Sequence, residues 1–214
     1  MKPFFLTISI LLMSLLMQAQ AKTKSPIGEY YLQGVMETAS GFKFNQDSTF
    51  QFFFSYGALD REGQGVWKMN GDRILLNTPT KPEHDYVLVK SEKRDIPGIT
   101  VKISGSSINF LQHVFAILKT GDKAEDVQAN SNGIMQFTAT TADSIELLFE
   151  FCPEKSSVFN LKGSSHNFFE FHFEPSIMDV VFNEFSLHLG NDEMTGPHPL
   201  DPQKEFTYKK SSKE

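Results

Sequence analysis

A single cysteine, Cys152, stands among 214 residues, so no internal disulfide can form. No "G-x-S-x-G", no "H-E-x-x-H" and no phosphate-cradling glycine loop occurs, which lowers the prospect of an enzyme without excluding one. Beyond residue 21 no apolar run approaches the roughly 20 residues that a bilayer-spanning helix requires. An excess of basic charge is also missing. The formal net charge is −6, and Lys2 belongs to a leader, so the mature chain is one unit more acidic still. That balance excludes a basic nucleic-acid footprint as the default reading.

What is present first is an export signal. Lys2, the apolar stretch Phe4 to Leu16 and Ala19-Gln20-Ala21 read as a positive segment, a hydrophobic segment and a small-x-small cleavage site. Phe4 to Leu16 has no polar face every three to four residues, as an amphipathic core helix would. No cysteine stands just after it, as a lipid anchor at that position would require. The sequence therefore predicts a signal peptide at 1–21 and a bacterial periplasmic or secreted protein. Cys152 falls between Phe151 and Pro153 at the end of a strand pattern. Its neighbours Glu150 and Glu154 would raise a thiol pKa, so a structural residue is expected there and not a nucleophile.

Strand signals dominate the rest. From Thr49 to Tyr56, Phe50, Phe52, Phe54 and Tyr56 alternate with Thr49, Gln51 and Ser55, and Phe53 breaks the pattern. Shorter strands are predicted over 29–35 and 40–45. Leu59-Asp60-Arg61-Glu62-Gly63 reads as a turn with a charged tip. Strands over 64–69 and 73–78 flank Asn70-Gly71-Asp72, a strong hairpin signal. A sixth strand over 85–91 completes a first module at 26–92. The charged stretch 91–98, ending in Pro97-Gly98, marks the boundary. Further strands are predicted over 99–104, 113–119, 133–140, 144–151, 168–174, 180–189 and 206–209. Lys123 to Ala129 offers one or two helical turns at most. The fold class expected is all-β: a small antiparallel meander or barrel, then an antiparallel β-sandwich at 98–209. The segment Gly196 to Pro202 reads as a semi-extended loop, and the tail from Lys209 as frayed.

Two resemblances follow from these residues. Gly28-Glu29-Tyr30, Asp47-Ser48-Thr49-Phe50, Gly65-Val66-Trp67 and Gly71-Asp72-Arg73-Ile74 give residues 26–92 a pattern that resembles the lipocalin-like secreted domains of bacteria. The resemblance implies an antiparallel barrel, and about six strands fall short of the eight that enclose a ligand. Residues 99–103, 114–117 and 130–137 are similar to the carboxypeptidase regulatory-like sandwich. That resemblance implies a non-catalytic structural or interaction role.

Candidate sites are few. On 165–174, Phe169, Phe171 and Phe173 share one face, opposite His166, Glu170, His172 and Glu174. Residues two apart on a strand lie about 6.8 Å apart on one face. If the strand bearing Glu184 and His188 paired with it, Glu170, His172 and His188 would make a donor set suited to Zn²⁺ or Cu²⁺; a solvated sheet face is the plainer alternative. No cofactor is otherwise implied. Twenty-one phenylalanines, two of them (Phe4 and Phe5) in the leader, point to cores covered on both faces or to an apolar partner surface. The leading expectation is a non-catalytic exported module that binds a protein or envelope component. The alternative is a carrier of a small apolar ligand or lipid, lined by Phe50, Phe52, Trp67 and Leu75 or held in the crevice between modules.

Overall fold

The computed structural model describes residues 24–105 and 108–212. The predicted signal peptide lies outside the described residues, and among the described residues no helix is long and apolar enough to cross a membrane. The fold is all-β, as the strand periodicities predict, with one helical turn at Ile108–Leu111.

Five strands open the chain: β1 (Gly28–Leu32), β2 (Thr38–Phe44), β3 (Thr49–Tyr56), β4 (Leu59–Asn70) and β5 (Arg73–Asn77). They pair in sequence order as hairpins. Gly71, at a φ of 63°, supplies the left-handed turn between β4 and β5. After Asn77 the run Thr78-Pro79-Thr80-Lys81-Pro82 ends the ladder, since proline cannot donate to it. The chain then leaves the barrel for eight strands: β6 (Tyr86–Glu92), β7 (Ile99–Ser104), β8 (Val114–Thr120), β9 (Lys123–Gln128), β10 (Ile134–Phe137), β11 (Ser144–Phe149), β12 (Ser156–Asn160) and β13 (Phe168–Phe173). It returns with β14 (Phe185–Leu189), β15 (Glu193–His198) and β16 (Asp201–Lys210), and these close the barrel in the order β1-β16-β15-β14-β5-β4-β3-β2.

The barrel therefore draws its eight strands from both ends of the chain, and a two-sheet sandwich is nested between them. One sheet runs β10-β7-β13-β6 and the other β12-β11-β8-β9. Strands β7 and β13 run parallel. This pairing differs from the linear division expected from the sequence. β6, read with the first module, adds to β13 in the sandwich; β14 to β16, read with the second, complete the barrel.

Local differences have local causes. Asp60-Arg61-Glu62 is no hairpin tip: the turn falls at Gly57, and β4 runs unbroken from Leu59. Lys123 to Gln128 is a strand, because it pairs with β8 through the Thr120–Lys123 turn. The segment Gly196-Pro197-His198 and the tail residues Lys209 and Lys210 are strand as well, held by β16 and β1 respectively.

The two units have separate cores. In the barrel, Phe42 and Phe44 of β2 lie opposite Phe52 and Phe50 of β3, and all four are buried. Phe182, in the segment leading into β14, stands among them, its ring 4.9 Å from that of Phe50, 5.6 Å from Phe52 and 5.5 Å from Phe185. That segment is tied down where β5 has ended: Val180 N–H donates to the Glu62 carbonyl at 2.7 Å, and Thr78 N–H to the Phe182 carbonyl at 2.8 Å. A Cβ on Gly63 would stand 2.7 Å from both the Phe182 ring and the Val180 carbonyl, so only glycine lets the segment pass. The sandwich core is built from alternating positions such as Val101, Ile103, Ala116, Ile145, Leu147 and Phe171.

Candidate binding crevice

Where the chain crosses between the two units, a crevice of about 1070 Å³ opens. One wall is the edge of the barrel around Thr49, Gln64 and Val66; the other is Glu154, Lys155 and Ser156 of the sandwich; the linker through Pro79 and Pro82 forms the rim. Two ion pairs order its sandwich wall. Lys155 lies 3.2 Å from the Asp85 carboxylate and donates to the Ile177 carbonyl at 3.0 Å. Asp85 N–H in turn donates to Ser157 Oγ at 2.8 Å. Below it the guanidinium of Arg61 donates to the Met178 carbonyl at 3.0 Å and pairs with Glu154. A buried guanidinium is tolerated because both of these partners satisfy it.

A second depression, of about 440 Å³, runs over the outer wall of β1 to β4. Gln51, Gln64 and Asp179 border both depressions, so the groove leads into the crevice.

The residues singled out from sequence are dispersed. Phe50 and Phe52 are buried in the barrel core, with Phe50 bordering the crevice and Phe52 the outer groove. Trp67 is half-buried, its indole N–H donating to the Asn45 carbonyl at 3.2 Å. Leu75 sits between the buried Ile74 and Leu76, and therefore on the opposite face of β5. The four are not brought together on one face, since Phe50 and Phe52 point into the barrel core and Leu75 away from it.

The donor set for a metal is not assembled either. It required β13 beside β14, but β13 pairs with β6 and β7, while β14 pairs with β5 and β15 in the other unit. Glu170 is engaged by Lys102 at 3.0 Å. The Ser104 hydroxyl and that ammonium hold its carboxyl below the usual range. His172 is exposed on β13, and His188 lies 3.2 Å from Asp72 on the barrel. Among the described residues no three His, Cys, Asp or Glu side chains converge.

Two reactive groups are buried in structural roles. Burial pushes the Cys152 thiol up to about 11, and its Sγ donates to the Ile177 carbonyl at 3.2 Å. His198 is a pairing that the sequence did not suggest. Its Nδ1 accepts from Leu200 N–H at 3.1 Å, which leaves the proton on Nε2, 3.0 Å from Ser40 Oγ. The Ser40 hydroxyl itself donates to the Phe53 carbonyl at 2.8 Å. With Nε2 donating to Ser40, the imidazole cannot take the hydroxyl proton, so the pair is not an activated nucleophile. Burial depresses the His198 pKa to about 4. Arg61 was equally hidden in sequence, since nothing in Asp60-Arg61-Glu62 separates the buried cation from its two exposed neighbours.

No protein-family model matches the chain, and no curated protein is significantly similar to it.

Proposed function

We propose that this chain is a non-catalytic, exported binding protein that takes hold of an envelope component in the crevice between barrel and sandwich. One observation carries the reading: the crevice is walled by both units, and its polar groups are preorganised by two ion pairs, Lys155 with Asp85 and, across the junction, Glu154 with Arg61. Ligand sites favour such junctions, and preorganised polar groups lower the cost of binding. The lipocalin-like reading of the barrel belongs to this proposal at the level of fold only. As a carrier it is disfavoured, because phenylalanine rings occupy the lumen. Export rests on the sequence of residues 1–21.

The test is a photoreactive residue at Thr80, on the rim, introduced into the protein in its own cells. A discrete cross-linked product is expected there and none from Asp122, which is exposed and borders neither depression. Cross-linking that is absent at Thr80, or equal at the two positions, would overturn the crevice as the binding site. Native mass spectrometry of the captured species then gives the mass of the component.

A further inference from the structure

The outer wall of β1 to β4 departs from what a solvated barrel surface needs. Its outward side chains form two cross-strand rows: Tyr31, Gly41, Phe53 and Glu62 in one, and Glu29, Lys43, Gln51 and Gln64 in the next. Neighbouring strands lie about 4.8 Å apart, so each row runs for about 14 Å. Phe53 is the residue that breaks the alternation of β3, and it is 37 % exposed; Tyr31 is 40 % exposed. Their rings stand edge to face, centroids 6.1 Å apart, on either side of Gly41. A Cβ at Gly41 would come 3.0 Å from the Phe53 ring and 3.3 Å from that of Tyr31. Covering a strand glycine accounts for the inner edges of these rings. It leaves their outer surfaces facing the 440 Å³ groove.

The polar row is held in place beside them. The Tyr31 hydroxyl donates to Glu29 at 2.8 Å, and Lys43 lies 3.4 Å from the same carboxylate. Gln51, Gln64 and, across the groove, Glu62 and Asp179 supply amides and carboxylates.

We propose that this groove binds a neutral or acetamido oligosaccharide, with pyranose rings resting on Tyr31 and Phe53 and their hydroxyls bridged by Gln51, Gln64 and Glu62. The chemistry selects this class. β1 to β4 are paired on both sides, so no free backbone edge offers itself to an extended peptide. Three carboxylates, Glu29, Glu62 and Asp179, face the single cation Lys43, which is already paired; phosphate and uronate groups are repelled. A fatty chain would strip water from those charges without replacing it. A sugar presents what the groove complements: an apolar face of C–H groups for an aromatic ring, and a rim of hydroxyls for planar amides and carboxylates. Because Gln51, Gln64 and Asp179 lead into the crevice, the glycan is also the component expected there, and to that extent the proposal rests on the crevice reading.

The test uses the full mature chain on an array of immobilised neutral, acetamido and uronate-bearing oligosaccharides, followed by calorimetric titration of the best soluble hit. Retention on a neutral or acetamido glycan is expected, with affinity falling about tenfold in Phe53→Ala and in Tyr31→Ala, a loss of roughly 1.4 kcal/mol each. Val87→Ser, on the sandwich edge and bordering neither depression, is expected to bind as the parent does. Retention of no glycan, preference for the uronate series, or affinity unchanged in both aromatic variants would overturn the proposal. Should Thr80 nonetheless cross-link a protein, the glycan alone is lost and the crevice stands. Should glycan binding depend on Phe53 while Thr80 cross-links nothing, the groove stands and the crevice reading is lost.

Discussion

The guanidinium of Arg61, a barrel residue whose side chain is 1 % exposed, pairs with the carboxylate of Glu154, a sandwich residue 38 % exposed. One partner is thus fully desolvated while the other reaches water. The asymmetry decides what each substitution does.

Glu154→Gln leaves the cation of Arg61 buried with a neutral partner and is expected to destabilise the protein by about 2 kcal/mol, discounted for the exposure of Glu154. Arg61→Met combined with Glu154→Gln removes the charge itself and is expected to cost less than the two single changes added together. Urea midpoints for the four proteins of this cycle measure the coupling. Additive losses would show that the pair does not join the two units energetically.

His198 makes the barrel sensitive to acid. Its folded-state pKa lies near 4 against an ordinary value of 6.5, so the unfolded chain binds the extra proton first. The stabilisation is complete above pH 6.5 and is lost as pH falls towards 4, by about 3 kcal/mol in all. Carboxylates held low by hydrogen bonds, such as Glu92 and Glu146, act at lower pH and are separable from it. Denaturation curves between pH 7 and 4 should steepen in this way for the parent and much less for His198→Gln. A parent whose stability is flat over that interval would refute the assignment.

Phe182 plugs the barrel from a non-strand segment. Truncation to alanine opens a void among Phe42, Phe50 and Phe52 and is expected to cost about 3 to 5 kcal/mol. Gly63→Ala pushes against the same ring and the Val180 carbonyl and should cost about 1 to 3 kcal/mol. Thermal melts of both variants report this directly. A Gly63→Ala protein as stable as the parent would mean that the segment is not held tightly against β4.

Tyr30 is buried in the barrel with no hydrogen-bond partner for its hydroxyl among the described residues. Tyr30→Phe removes an unsatisfied polar group at little change of shape, and should leave stability unchanged or raise it by about 1 kcal/mol. A marked loss in the urea midpoint would reveal a partner for that oxygen.

Much of the fold was legible because its signals are local. The alternation of Phe50 and Phe52, the Asn70-Gly71 turn and the continuous pattern of Ile99–Ser104 each depend on neighbours a few residues away. What could not be read is what depends on distant partners. Tyr30 meets Lys210 and Phe185 meets Leu76 across most or half of the chain, and no periodicity records such pairings. The metal triad failed for the same reason: strands adjacent in order, β13 and β14, belong to different sheets. The aromatic groove was half legible. Phe53 showed as an exception to its strand, but its neighbours Tyr31 and Gln64 emerge only from the register.

The closing strand carries a consequence for the order in which the chain can fold during synthesis. β16 is the only described strand that joins β1 to β15, and it is also the last described strand to be made. Until it arrives, the phenylalanine-lined faces of β2 and β3 wait unclosed while the whole sandwich is produced and has opportunity to fold first. Such a wait exposes apolar strands to aggregation, and long-range closure is slow. A ribosome that stops early, or a protease that trims before Asp201, would leave β1 and β15 as open edges. The integrity of the whole barrel is thus read out at the final ten residues of its ladder.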